Sequence, residues 1–131
     1  PMFGIEITRT FSAAHALRLP NGVEPLHGHD FQVTVRLAAG ALDGLETVLD
    51  FHVLEAALER IIGPFRNANL NEIEPFRSRV NPSAERVAEE IGRRLQEGLP
   101  ALDAAAGARG LRLVEVRLTE APGCLACWTP E

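Results

Sequence analysis

The chain has 131 residues, 46% of them hydrophobic, and a formal net charge of −5. That length and apolar content suit one domain, residues 1–131, able to bury a core without disulfide or metal staples. No run of about 18 apolar residues is present to span a membrane, no basic segment with an apolar signal stretch opens the chain, and the acidic balance with no basic-aromatic patch disfavours nucleic acid, so a cytoplasmic protein is expected.

The first element is a strand. In "MFGIEITRTFSAAH", Phe3, Ile5, Ile7, Phe11 and Ala13 share one parity, broken only by Arg9, which is the period of a half-buried strand. "HDFQVTVRLAA" repeats the pattern with Phe31, Val33, Val35 and Leu37 on one face, and its turn ends near Gly40. "DFHVLEAALERII" then switches to the helical period: Val53, Leu54, Ala57, Leu58, Ile61 and Ile62 form a stripe, Asp50 is placed to cap the first turn, and Gly63-Pro64 to stop the helix.

Residues 65–80 read as a polar loop, after which Asn81-Pro82 supplies the cap and first-turn proline of a second helix with the stripe Val87, Ala88, Ile91 and Leu95. Beyond the Ala/Gly-rich stretch 101–110, "LRLVEVRLTE" alternates with Val114, Val116, Leu118 and Glu120 on one parity, so a carboxylate ends an otherwise buried face. Cys124 and Cys127 form a lone CxxC with no second pair, read as ordinary core or strand cysteines. Strands flanking two amphipathic helices predict an α+β layer, an antiparallel sheet covered on one side by helices, and its free edges suggest subunits joined edge to edge.

Three of the four histidines fall into this pattern. His29 shares the parity of Phe31 and Val33, His27 lies two residues before it, and His15 shares the parity of Phe11 and Ala13. A hairpin-like return from residue 15 to 27 would bring the three rings together. Zinc takes imidazole nitrogens, and three protein ligands with an open fourth position is the arrangement of catalytic rather than structural zinc. Spacing alone also allows a polar His-Gly-His turn beside a satisfied core histidine.

"FSAAH", "LHGHDFQVTV", "VLDF", "NPSAE" and "EVRLTE", in unbroken order from Phe3 to Cys124, resemble the 6-pyruvoyltetrahydropterin synthase and 6-carboxytetrahydropterin synthase family. The resemblance implies a T-fold subunit, ββααββ, with a four-stranded antiparallel sheet and two helices on one face, joined into barrels as trimers or hexamers. It implies zinc on His15, His27 and His29, and a pterin ring gripped by Glu120, whose carboxylate would accept two N–H donors from the aminopyrimidine edge. The implied reaction is side-chain chemistry on 7,8-dihydroneopterin triphosphate, with the metal as Lewis acid and template and a separate base moving the proton.

Two departures from the family pattern bear on that base. Val23 stands where the 6-carboxytetrahydropterin synthases have a catalytic cysteine, and both cysteines of this chain lie far along the sequence. Glu24 matches the glutamate of a subset that cleaves the side chain by a retro-aldol step to 6-hydroxymethyl-dihydropterin, which makes it the candidate catalytic base; the alternative is a solvated loop acid. In "FRNANLNE", Leu70-Asn71 match, but Arg66, Asn67 and Ala68 replace the family's Asp-His pair. His52, the one remaining histidine, reads as a surface residue. Three functions follow as expectations: a zinc-dependent pterin synthase, a retro-aldol lyase using Glu24, or a non-catalytic zinc and pterin binder.

Overall fold

The computed structural model describes residues 2–131. Its centre is a pair of thirteen-residue strands, β1 (Phe3–His15) and β4 (His27–Ala39), which run antiparallel in unbroken register from Phe3↔Ala39 to His15↔His27. Alternation along each sends Ile7, Phe11 and Ala13, with Phe31, Val33, Val35 and Leu37, into the core, while Glu6, Thr8, Thr10 and Ser12 are exposed on the other face. The return between them is a small hairpin of β2 (Arg18–Leu19) and β3 (Gly22–Val23). The predicted meeting of residues 15 and 27 therefore holds.

Helix α1 (Phe51–Ile62) begins where Asp50 was expected to cap it: the Asp50 carboxylate accepts the His52 backbone N–H at 2.7 Å. It buries Leu54, Ala57, Leu58 and Ile62, whereas Val53, assigned to the stripe, stands at the margin and is exposed. Gly63-Pro64 ends the α-helix as a tight turn over Gly63–Phe65. Helix α2 (Ala84–Leu102) buries Val87, Ala88, Ile91, Leu95 and Leu99 against the same sheet face. It carries Pro100 within it and so runs into the Ala/Gly-rich stretch, which also forms the short helix α3 (Ala106–Arg109).

Strand β6 (Arg112–Ala121) pairs with β4, and β7 (Cys124–Trp128) with β6, both antiparallel. A fifth strand, the two-residue β5 (Ala68–Asn69), lies parallel to β1, so the sheet order is β5-β1-β4-β6-β7. The mixed α+β architecture is as expected; the sheet gains this short parallel edge.

Three expectations need correction. Residues 65–80 are no polar loop: Phe65, Leu70 and Phe76 are completely buried, and the polar residues between them engage backbone or face solvent. The second helix opens at Ala84, with Ser83 as its cap through a hydrogen bond from the Arg86 N–H, because Asn81 and Pro82 are used elsewhere. In β6 the parity breaks. Arg36 pairs with Glu115 but Leu37 with Leu113, leaving Val114 in a bulge, so Leu113 rather than Val114 is buried.

Helix α2 crosses the sheet closely at Gly92, where an added Cβ would lie 2.4 Å from the Trp128 ring and 3.1 Å from a Val116 methyl. Overpacking of this kind costs about 1–3 kcal/mol. Gly92→Ala is expected to lower unfolding stability by that amount in a denaturant titration. Gly98→Ala, on the same helix with nothing within 4 Å of the new Cβ, is expected to be neutral or stabilising.

Candidate metal centre

The apolar stripe of the two central strands ends in histidine. Phe11 and Phe31 stack at 5.2 Å between centroids, and the Phe31 ring meets His15 and His29 edge-on at 5.6 and 5.5 Å. Direct pairing of His15 with His27 and of Ala13 with His29 places all three imidazoles on the helix-covered face. Their centroids are 4.7, 4.9 and 5.0 Å apart. One nitrogen from each lies within 4.8 Å of the others, a set able to hold a metal ion.

The ring orientations are set by backbone carbonyls. His15 Nδ1 lies 2.7 Å from the Pro82 carbonyl oxygen and His27 Nδ1 lies 2.9 Å from that of Pro25. A carbonyl only accepts, so in each neutral ring Nδ1 carries the proton and Nε2 presents its lone pair to the cluster. Such outer hydrogen bonds orient imidazole ligands in metal sites. His15 is buried, and both His15 Nε2 and His29 Nε2 are enclosed without any hydrogen-bond partner. Burial holds the His29 pKa below the usual histidine value against an upward pull from the Glu120 carboxylate, which favours the neutral, ligating form.

Glu120 borders this cluster on the side of His15 and His29. Thr119 pairs with Gln32, which brings the next residue of β6 beside the end of β4 that carries His29. Its Oε1 lies 3.3 Å from His15 Nε2 and 3.7 Å from His29 Nε2. It also lines a recess of about 350 Å³ with Glu85 and Cys124. The remoteness of Cys124 in sequence is therefore misleading, since it pairs across the β6–β7 hairpin with Ala121. Both cysteines are free and exposed on a strand, not in the core. A second cleft, about 530 Å³, is bordered by His29, Asp30 and Asn67, within the usual size range for small-molecule sites.

The other singled-out residues separate clearly. Glu24 Oε1 accepts the Leu17 N–H at 2.9 Å, while the Glu24 N–H bonds to the Leu17 carbonyl; its charge adds a small upward push at His29. Val23 is 61% exposed. His52 points to solvent beside Asp50. At the place of the family's Asp-His pair, Arg66 is bound to Glu59 and to the Thr10 carbonyl, and Asn67, at φ 55°, donates its N–H to the Ser12 carbonyl.

Sequence reasoning missed two asparagines. The Asn71 side chain accepts the Ala16 N–H and donates to the Ala16 carbonyl, at 2.8 and 2.7 Å. Asn81 does the same for Arg18, at 2.7 and 3.0 Å. Each amide replaces a strand partner for a residue just past His15, and the Arg18 guanidinium donates to the carbonyls of Phe76 and Val80. Residues 16–18 are thus fastened to the segment that delivers the Pro82 carbonyl. "Asn-Pro" resembles a helix opening, which hid this role.

A family model described as 6-pyruvoyl tetrahydropterin synthase matches residues 4–131. Among solved structures, the chain is similar to 6-pyruvoyl tetrahydropterin synthase of Caenorhabditis elegans, with 21% identity and a TM-score of 0.78 over 100% of this chain and 97% of that one. The enzyme of Plasmodium vivax gives 20% identity and 0.77 over 100% and 99%. That of Plasmodium falciparum gives 16% and 0.77 over 98% of each. No curated protein matches the chain.

Loss of a hydrogen bond made directly to a metal ligand costs about 10–100-fold in affinity; Asn71 and Asn81 act one step further out, through the backbone of Ala16 and Arg18, so Asn71→Ala and Asn81→Ala are each expected to weaken binding of a divalent metal ion at the histidines by less than that. Competition with a chromophoric chelator measures it, with circular dichroism checking that the fold persists. Asn21→Ala, at the exposed hairpin turn, is expected to change nothing.

Proposed function

The chain belongs to the 6-pyruvoyl tetrahydropterin synthase family, and from that premise we propose that it is a zinc-dependent enzyme acting on the side chain of 7,8-dihydroneopterin triphosphate. The observation that carries this reading is the convergence of three imidazoles whose buried Nε2 atoms on His15 and His29 have no partner. A buried unpaired nitrogen costs free energy unless a ligand satisfies it, and a neutral three-histidine set suits zinc. His15, His27 and His29 would hold the ion. When bound, it supplies Lewis acidity toward side-chain oxygens and so eases loss of the neighbouring proton.

The chain's own groups account for the remaining steps. Glu120, flanked by a recess that also holds the Glu85 carboxylate, offers an acceptor for the N–H donors of an aminopyrimidine edge. Glu24 is the candidate base, held against the Leu17 N–H through Oε1. A similar solved structure from Plasmodium vivax is described as a catalytic-residue mutant in which glutamate is replaced by alanine, which supports a glutamate in this role. A base at Glu24 favours side-chain cleavage to 6-hydroxymethyl-dihydropterin over the thiol-dependent product. The subunits would assemble through sheet edges into the family's barrel, in the cytoplasm.

A second reading, a zinc and pterin binder without turnover, draws on the commitment of Arg66 and Asn67 to Glu59, Thr10 and Ser12. These residues occupy the place of the proton relay with groups that move no proton.

Incubation of the zinc-loaded chain with 7,8-dihydroneopterin triphosphate, products identified by mass, is expected to yield a pterin shortened at its side chain. Unchanged substrate that stays tightly bound would support the binder instead. Glu24→Gln is expected to lower turnover by about 10²–10⁴, the usual contribution of a general base. Full activity in that variant excludes Glu24 from the step.

A further inference from the structure

The histidine cluster has a wet side and a dry side. His27 is exposed, the His29 side chain is 20% exposed and that of His15 2%, while Phe31 is completely buried. Residues 27, 29 and 31 follow one another on one face of β4, which sets His27 and Phe31 about 13 Å apart along the strand, at about 3.3 Å per residue, with His29 between them. The His15 ring leans from β1 into the same gap, its centroid 4.7 Å from that of His27, 5.0 Å from His29 and 5.6 Å from Phe31. His15 and His29 therefore stand as a pair, with His27 on the solvent side and Phe31 on the core side, 5.5 Å from His29. The Nε2 atoms of this pair are fully enclosed.

This arrangement bears on how many ligands an ion there could hold. Three imidazoles on one face of an octahedron leave three positions, each opposite one nitrogen. The position opposite His27 points between His15 and His29 toward Phe31, whose ring offers neither room nor a polar group to a water molecule. Four- and five-coordinate ions need only the side where His27 meets solvent. We propose that Phe31 is a positioning residue of the metal centre: it walls off the position opposite His27, holds an ion on the three histidines below six ligands, and so favours zinc over metals that prefer larger or planar shells. The inference rests on the three-histidine metal reading above and adds a cause of selectivity to it. Imidazole suits nickel as well as zinc, so discrimination between them falls to geometry.

Cobalt(II) reports coordination number, because four- and five-coordinate cobalt absorbs strongly in the visible and six-coordinate cobalt weakly. The test is the visible spectrum of the cobalt-loaded chain, with zinc and nickel affinities from chelator competition, for wild type, Phe31→Val and Phe11→Val. Phe11 stacks on Phe31 and packs on Phe65, so its truncation loosens the same core while leaving in place the ring that meets His15 and His29. Strong absorption is expected in wild type and in Phe11→Val. In Phe31→Val the absorption is expected to weaken and the zinc-over-nickel preference to fall about tenfold or more, the usual scale for groups around a metal's ligands. Phe31→Leu, the milder truncation, replaces a Phe31→Val chain that does not fold. An unchanged spectrum and preference in the Phe31 variant overturns the proposal, as does the same change in the Phe11 variant. Weak absorption from cobalt bound to the wild-type histidines overturns the role of Phe31 alone, with no variant needed. A wild-type chain that takes up neither cobalt nor zinc overturns the metal site and this proposal with it.

Discussion

The antiparallel pairing of β1 with β4 is the constraint from which the site follows. Thirteen residues pair with thirteen, and the two strands meet at His15↔His27. Because side chains alternate with a period of two, one register decision fixes both the core and the cluster. The face that buries Phe11 and Phe31 carries His15, His27 and His29 beyond them, so slipping either strand by one residue would expose the core and disperse the imidazoles together. Stability and site geometry are therefore coupled: the hydrophobic burial that selects the register, about 1.5–3 kcal/mol for each large apolar side chain, also sets the positions of the ligands.

Around that frame, backbone carbonyls and amides do the fine positioning. Pro25 and Pro82 supply the carbonyls that orient two of the three rings, one from the segment leading into β4 and the other from the approach to α2. Asn71 and Asn81 fasten the chain after His15 to that same approach by paired bonds that imitate a β-ladder. Glu120 then approaches two of the three rings, His15 and His29, from β6. Elements distant in sequence thus converge on a few ångströms.

Much of this was readable in the sequence where the signal is local. Parity alone aims His15 with Phe11 and His29 with Phe31, and the cap at Asp50 and the stripes of both helices follow from spacing. What escaped depends on partners far along the chain. The bulge at Val114 arises from pairing with Arg36 and Leu37, so its parity reads wrongly from β6 alone. Phe65, Leu70 and Phe76 sit singly among polar residues with no period, and only the tertiary fold shows that all three are buried. Asn81-Pro82 has the form of a helix opening, yet its amide and carbonyl serve Arg18 and His15. Cys124 looks remote from the site in sequence and lines the same recess as Glu120.

The central claim is that His15, His27 and His29 form one metal site. Zinc stoichiometry by equilibrium dialysis and elemental analysis tests it most directly, on the wild-type chain and on His15→Ala and His27→Ala. The account predicts one zinc per wild-type chain and little or none retained by either variant under the same conditions. A wild-type chain that retains no zinc, or variants that hold it equally well, would contradict it.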